Sequence, residues 1–419
     1  MKRFLSSILL ILSAVSLHAA EWDVPVRAGA ISETLAQAAD GDILRLGPGT
    51  YTETVVLDKA VILDGQGHAT IDAQGAGTVV TLTSPGAIVR GVTVIGSGSS
   101  HDTIDSGIKL TKTAKGAKAL NNVVLGNLYG IDIHGAKDSL VAGNRIEGRL
   151  DHRMNDRGNG VYVWNAPGAM VEGNDIRYGR DGIFVNSSRK NIFRDNIFRD
   201  LRFAVHFMYA NGSTVSDNVS IGNDLGYAIM FTKNVEVIGN VSIDDREHGI
   251  AFNYTNSSDI RDNYVQSAQQ KCAFLYNSHK NDFSGNWFQG CDIGIHFTGS
   301  DKNRIVGNSF IANRTQVKLV TTKWYEWSED GAGNYYSDNA AYDVNGDGIA
   351  DAPYRPNDSM DHVLWTQPSA KLLLGSPAVQ LVRWSQSAFP ALLPGGVIDS
   401  HPLMSPVTPD ASGKVPHDG

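Results

Sequence analysis

Two groups of residues in this chain are of types that do chemistry at a protein surface. Soft donors occur in FAVHFMYAN (203–211), where His206 and Met208 stand two apart and Met230 follows 22 positions after Met208. Imidazole and thioether together favour copper(I) over zinc or calcium, because a soft ion gains most from sulfur. Two more donors of this kind, His152 and Met154, lie in GRLDHRMNDRGNG (148–160). Hard oxygens gather in YDVNGDGIADAPY (342–354). There Asp343, Asn345 and Asp347 take the first, third and fifth places of a calcium loop, Gly348 the sixth, the Ile349 carbonyl the seventh and Asp351 the ninth. The twelfth place holds Tyr354 and not a bidentate glutamate, so calcium here would be weakly held and structural. A turn stapled by its own Asn and Asp side chains is the competing reading.

Residues 22 apart meet only in a chain that returns on itself with that period. Short apolar runs ending in Gly-Asn or Asp-Asn recur as LVAGN, MVEGN, IFRDN, TVSDN, VEVIGN, DIRDN, DFSGN and RIVGN. The asparagines are Asn127, Asn144, Asn174, Asn196, Asn218, Asn240, Asn263, Asn286 and Asn308, with steps of 17, 30, 22, 22, 22, 23, 23 and 22. A second column, GIDIH, GVYVW, GIFVN, AVHFM, AIMFT, GIAFN and GIHFT, alternates inward and outward as strands do. Helices have no room between strands so closely spaced. Only Leu201, Leu225 and Leu275 fall between residues 161 and 300, which excludes a leucine-rich horseshoe. The fold expected is all-β: a single-stranded right-handed parallel β-helix of the pectate-lyase-like kind, its coils stacked about 4.8 Å apart. Asparagine suits the corner because it tolerates left-handed backbone and can bond its counterpart in the next coil.

Aligning the second column gives an inward row of Ile131, Val161, Ile183, Val205, Ile229, Ile250, Phe274 and Ile295. The outward row is then Asp132, Tyr162, Phe184, His206, Met230, Ala251, Leu275 and His296, with His134, Trp164, Asn186 and Met208 in a second one. His206 and Met230 are thus expected as neighbours in adjacent coils, about 5 Å apart at Cα. The insertion carrying His152 and Met154 is expected to overhang them. An outer face bearing Tyr162, Trp164, Phe184 and Tyr209 is apolar enough to receive a partner. Packing beneath the inserted loop is the competing reading. His134 and His296, several coils away, read as surface histidines.

Residues 1–20 have the form of an export signal, with Lys2 and Arg3 before the apolar FLSSILLILSAVSL and then HAA. A cap is expected over 21–42, where SETLAQAA forms a short helix with Ser32 as N-cap. Coils are expected over 43–312, and a C-terminal cap over 313–419 holds the acidic loop and a helix in PAVQLVRWSQS (377–387). That helix is expected to pack on the last coil or to dock a membrane partner. The formal charge of -8 becomes about -10 without Lys2 and Arg3, which argues against nucleic acid as a partner. Cys272 and Cys291 are a possible disulfide in an oxidising compartment.

Taken together, the export signal, the coils, FAVHFMYAN, GNYYSDNAAYDVNGDGIADAPYRPND and SPAVQLVRWSQSAFP resemble the periplasmic NosD-type maturation proteins of nitrous oxide reductase. The resemblance spans nearly the whole mature chain. It implies a β-helix in the periplasm that is not an enzyme. Its implied partners are an inner-membrane ABC transporter, a copper chaperone and the reductase, and copper(I) is its transient cargo. The rival reading is a lyase, hydrolase or epimerase acting on polysaccharide, for which Asp244, Asp245, Glu247 and His248 are the nearest acidic cluster.

Overall fold

The computed structural model describes residues 19–319, 323–357, 376–388 and 395–415, with 321, 361, 363, 367 and 369. Residues 1–18 of the expected export signal lie outside them. The described chain is a right-handed parallel β-helix. One twelve-stranded sheet runs from Val55–Leu57 to Thr315–Leu319, and the remaining strands of the coils form a 24-stranded sheet. One coil shows the pattern: Phe203–Met208, Thr214–Ser216 and Val219–Ile221 each pair in parallel with the matching strand of the next coil. Alternation sends Val205 and Phe207 inward, where both are fully buried. Facing phenylalanines continue between coils, as Phe288 on Phe310 at 5.5 Å.

The corner asparagines form a continuous buried ladder. In each step the backbone N–H and the side-chain amide of one asparagine donate to Oδ1 of the next. Asn196 gives 3.0 Å for both bonds to Asn218, and Asn218 gives 3.1 and 3.0 Å to Asn240. The first rung is Asn122, which donates to Asn144, and not Asn127 as the sequence reading had it. Asn127 serves another corner, accepting from Ser97 N at 3.0 Å. The step of 17 thus dissolves, because LNNVVLGN offered two asparagines and the wrong one was aligned. The residue before each rung is left-handed, with φ 66° at Gly143, 56° at Asp195 and 61° at Asp217. The ladder ends on a carboxylate from far along the chain: Asn334 donates to Asp399 Oδ2 through its N at 2.7 Å and its amide at 3.1 Å.

At the front, Glu21–Val24 pairs with Ile43–Leu46, and the helix Ala30–Gln37 lies between them in sequence. That helix starts two residues before the expected N-cap. Gly29 occupies the cap, and Ser32 instead donates its hydroxyl to Glu53 Oε2 at 2.6 Å. Toward the C-terminus, Pro377–Ala388 is helical and exposes Leu381 (63%), Val382 and Trp384 while burying Val379. No helix among the described residues is long and apolar enough to cross a membrane. Cys272 and Cys291 are joined as a disulfide, with Cα atoms 5.7 Å apart.

Candidate functional site

The strand pairing places the soft donors on one outer face, in an order that corrects the sequence alignment. Met230 pairs with Met208, while the partner of His206 in that coil is Ala228. The residue equivalent to Ala204 is Gly226, not Ala228, because Tyr227 takes the inward position opposite Val205. Tyr227 is fully buried there and donates its hydroxyl to the carbonyls of Asn218 and Val241, both at 2.9 Å. An aromatic with an internal hydrogen-bond partner thus fills a place the pattern reserved for Val or Ile. The same slip occurs in KCAFLY, where Ala273 and Leu275 point inward and Phe274 outward. The donors remain together. Met208 and Met230 lie across one coil step of about 4.8 Å, and His206 stands on the same face about 6.6 Å along the strand from Met208.

His206 is held from behind. On the outer row it is only 7% exposed, flanked by Phe184 at 4.8 Å and Phe203 at 5.1 Å between ring centres. Its Nδ1 lies 3.0 Å from Oδ2 of Asp181, a fully buried carboxylate that also accepts from Arg202 at 2.8 and 2.7 Å. Burial alone would raise the Asp181 pKa, but the hydrogen bonds from His206 and Arg202 outweigh it and hold the carboxyl below its usual range. An ionised acceptor keeps the proton on Nδ1, which leaves the Nε2 lone pair as the ligand atom. The sequence reading missed Asp181 and Arg202. Its available signal was a carboxylate in a column that later coils fill with Phe203, Leu225, His248, Lys271 and Ile293. Met230 packs with Phe203 and Phe274 against a small outer cluster of Leu225, Ala228 and Ala251.

The other predicted donors go elsewhere. The 148–160 insertion is tied toward the preceding coils: Arg149 donates to the Gly98 and Gly126 carbonyls at 2.8 and 3.0 Å, and Asp156 O lies 3.2 Å from His101 Nε2. His152 pairs with Asp151 at 3.0 Å and Met154 opens a 3-10 turn, and no described contact joins either to His206. Tyr162 and Phe184 stack at 5.5 Å in the row leading to His206. Trp164 stacks on His134 at 4.4 Å, and Tyr209 is exposed at the corner. In the acidic loop the oxygens serve the backbone. Asp343 accepts from Gly346 N at 2.6 Å and Gly348 N at 2.8 Å, Asp347 from Ile349 N at 2.9 Å, and Asp351 from Val344 N at 2.7 Å. Asn345 donates to Asp347 at 2.9 Å. Calcium is therefore not supported, and the loop is a self-stapled turn. Of the acidic cluster, Asp245 is fully buried and accepts from Ser220, Ser242 and Asn223 N, so it faces no groove. Among the described residues no three His, Cys, Asp or Glu side chains gather to hold a metal, so an ion at His206 would rely on thioether sulfur.

Comparison with known proteins agrees with this chemistry. A family model described as "Periplasmic copper-binding protein (NosD)" matches residues 143–341. A "Probable ABC transporter binding protein NosD" of Stutzerimonas stutzeri is 38% identical over 387 residues, covering 88% of this chain and 89% of its own. The protein of the same name from Pseudomonas aeruginosa is 38% identical over 381 residues, covering 87% and 89%. Among solved structures, a family 28 exopolygalacturonase of Yersinia enterocolitica superposes with TM-score 0.54 at 10% identity, over 70% of this chain and 79% of that one, which shows a shared β-helix fold. At 38% identity over nearly the full length of two such relatives, the chain belongs to the NosD family.

Proposed function

We propose that this chain is a periplasmic accessory protein that works with an inner-membrane ABC transporter and carries copper(I) on its way to the copper centres of nitrous oxide reductase. A copper chaperone supplies the ion. It rests on the outer face at His206 Nε2, Met208 and Met230. One observation carries this reading: an imidazole whose tautomer is fixed by buried Asp181 stands on the same outer face as a thioether pair contributed by two coils. Such a set binds a soft ion and releases it readily, because each thioether is neutral and weakly bound to its surroundings. The family description and the names of the two relatives support copper and the transporter. The exposed apolar side of Pro377–Ala388 offers a surface for the membrane partner.

The test is copper(I) titration of the signal-free chain under reducing conditions against a chromophoric competitor. The variants His206→Ala and Met208→Ala with Met230→Ala should each lower affinity at least about tenfold, in line with loss of one or two ligands. Unchanged affinity in both, with unchanged copper content of the reductase in cells, would sink the assignment.

A further inference from the structure

The corner that closes the twelve-stranded sheet breaks a rule that its neighbours keep. After each strand one residue turns the chain with left-handed backbone: Gly135 at φ 79°, Asn165 at 44°, Ser187 at 54°, Asn277 at 45° and Gly299 at 61°. These types suit that conformation. In the three coils between, the same position holds Tyr209 at 59°, Phe231 at 51° and Tyr254 at 50°. A bulky ring at positive φ is strained, and strain of this kind concentrates at sites with a task. The backbone proves the column, since Ser187 N donates to Met208 O, Tyr209 N to Met230 O, and Phe231 N to Asn253 O. Tyr209 stacks on Phe231 at 5.6 Å and Phe231 on Tyr254 at 5.4 Å, yet Tyr209 is 52% and Tyr254 45% exposed.

A few residues further round the same corner, the side chains are basic. Lys112, Lys137, Lys190, Lys233, Lys280 and Lys302 are exposed, and none forms an ion pair among the described residues. Elsewhere on the coils the cations are matched, as Arg194 with Glu172 at 2.7 Å and Arg304 with Asp282 at 3.0 Å. A chain of formal charge -8 has thus set unmatched lysines beside ring edges, the positive rim of the aromatic quadrupole. Rings stacked on each other have no free faces for a sugar. A single file of side chains along a straight corner also meets a flat membrane poorly. Carboxylates on a protein surface fit both the ammonium groups and the phenols.

Met208 and Met230 immediately precede Tyr209 and Phe231, so whatever sits on this corner reaches the thioether pair. We propose that the corner is the docking site of a copper-handling protein with an acidic face, with Tyr209, Phe231 and Tyr254 as its anchor and the lysines steering its approach. The inference rests on the copper reading above, because it takes the docked protein's business to be the ion at Met208 and Met230.

The test uses the full mature chain with two purified probes, the copper(I)-loaded chaperone and the copper-free reductase, each titrated at low and physiological salt. The parent should bind at least one of them, more weakly as salt rises. The triple variant Tyr209→Asn, Phe231→Asn, Tyr254→Asn introduces a residue that adjoining coils already use there, and should lower that binding at least about tenfold. Lys190→Glu with Lys233→Glu should weaken it and flatten its salt dependence. Copper(I) affinity of the isolated chain should be unchanged in both variants. Binding of neither probe by the parent, or binding untouched by both variants, overturns the proposal. So does binding to phosphatidylglycerol vesicles that the triple variant abolishes, with no effect on either probe. A parent that docks normally but holds no copper(I) would instead remove the copper reading and leave the docking surface standing.

Discussion

Two corners of the same coil obey opposite rules. At one, asparagine follows asparagine from Asn122 to Asn334, every rung buried and bonded to the next. At the other, Gly, Asn and Ser give way to Tyr, Phe and Tyr for three coils at the same left-handed angle. A column that never varies is explained by the fold alone. A column that abandons its suitable residue types for strained ones answers to something outside the fold. Breaking the first corner should have the largest effect. Asn218→Ala strips the amide that donates to Phe193 O, Ser216 O and Asn240 Oδ1 and the oxygen that accepts twice from Asn196. Several buried groups are left unpaired, so a loss of about 5 kcal/mol is expected in urea unfolding. A loss below about 1 kcal/mol would mean that the ladder is a by-product of coil stacking.

The asparagine rule also has an internal exception, and it carries a pH signature. Asp245 stands where an asparagine would serve, accepting from Asn223 N at 2.8 Å and from the Ser220 and Ser242 hydroxyls. Burial pushes its pKa up to about 7, although those hydrogen bonds and Arg246 pull the other way. Below pH 4 the carboxyl is protonated whether the chain is folded or not. As pH rises from about 4 to about 7 the unfolded chain ionises while the folded one keeps its proton, so stability falls, by about 4 kcal/mol in all, and then levels off. His248 and His296 work in the opposite sense. Burial first, and Lys271 next, lower them to about 4 and about 3, so they remove stability as pH falls below about 6.5. The parent's own pH profile therefore mixes both slopes. The difference between Asp245→Asn and the parent isolates one: the variant's advantage should grow across pH 4 to 7 and stay constant above. A flat difference would show that Asp245 is not protonated in the folded chain.

The comparison also explains what could be read from the sequence. The ladder was legible because nine of its neighbouring letters repeat, and even the one misplaced rung, Asn127 for Asn122, left the period intact. The outer rows were legible only as far as His206. Beyond it, Tyr227 and Ala273 occupy inward places with residues the pattern assigns elsewhere, so Met230 and Phe274 were displaced by one alternation. The carboxylate behind His206 left little trace, since Asp181 precedes its strand's glycine by a single residue and its partner comes from the next coil. Asp181→Asn tests that buried contact. It leaves the shape of the side chain but weakens its hold on Nδ1 and Arg202, and copper(I) affinity should fall about tenfold. If His206 is a packing residue, affinity will not move, although the melting temperature still drops.

The smallest effect is expected at the strained corner, and it is the most discriminating. Tyr254→Asn removes a ring stacked on Phe231 at 5.4 Å, a contact of the kind that contributes about 1 kcal/mol. It also relieves a bulky residue held at φ 50°, where asparagine is comfortable, a gain of about the same size. The two offset, so unfolding should shift by less than about 1 kcal/mol, against about 5 for Asn218→Ala in the same solenoid. Thermal melts of the two variants side by side decide the matter. If Tyr254→Asn destabilises as strongly as the ladder variant, the aromatic column is part of the scaffold after all, and both corners follow one rule. If it leaves stability where it was, the fold has no use for these rings, and their presence in three consecutive coils has to be credited to what docks on them.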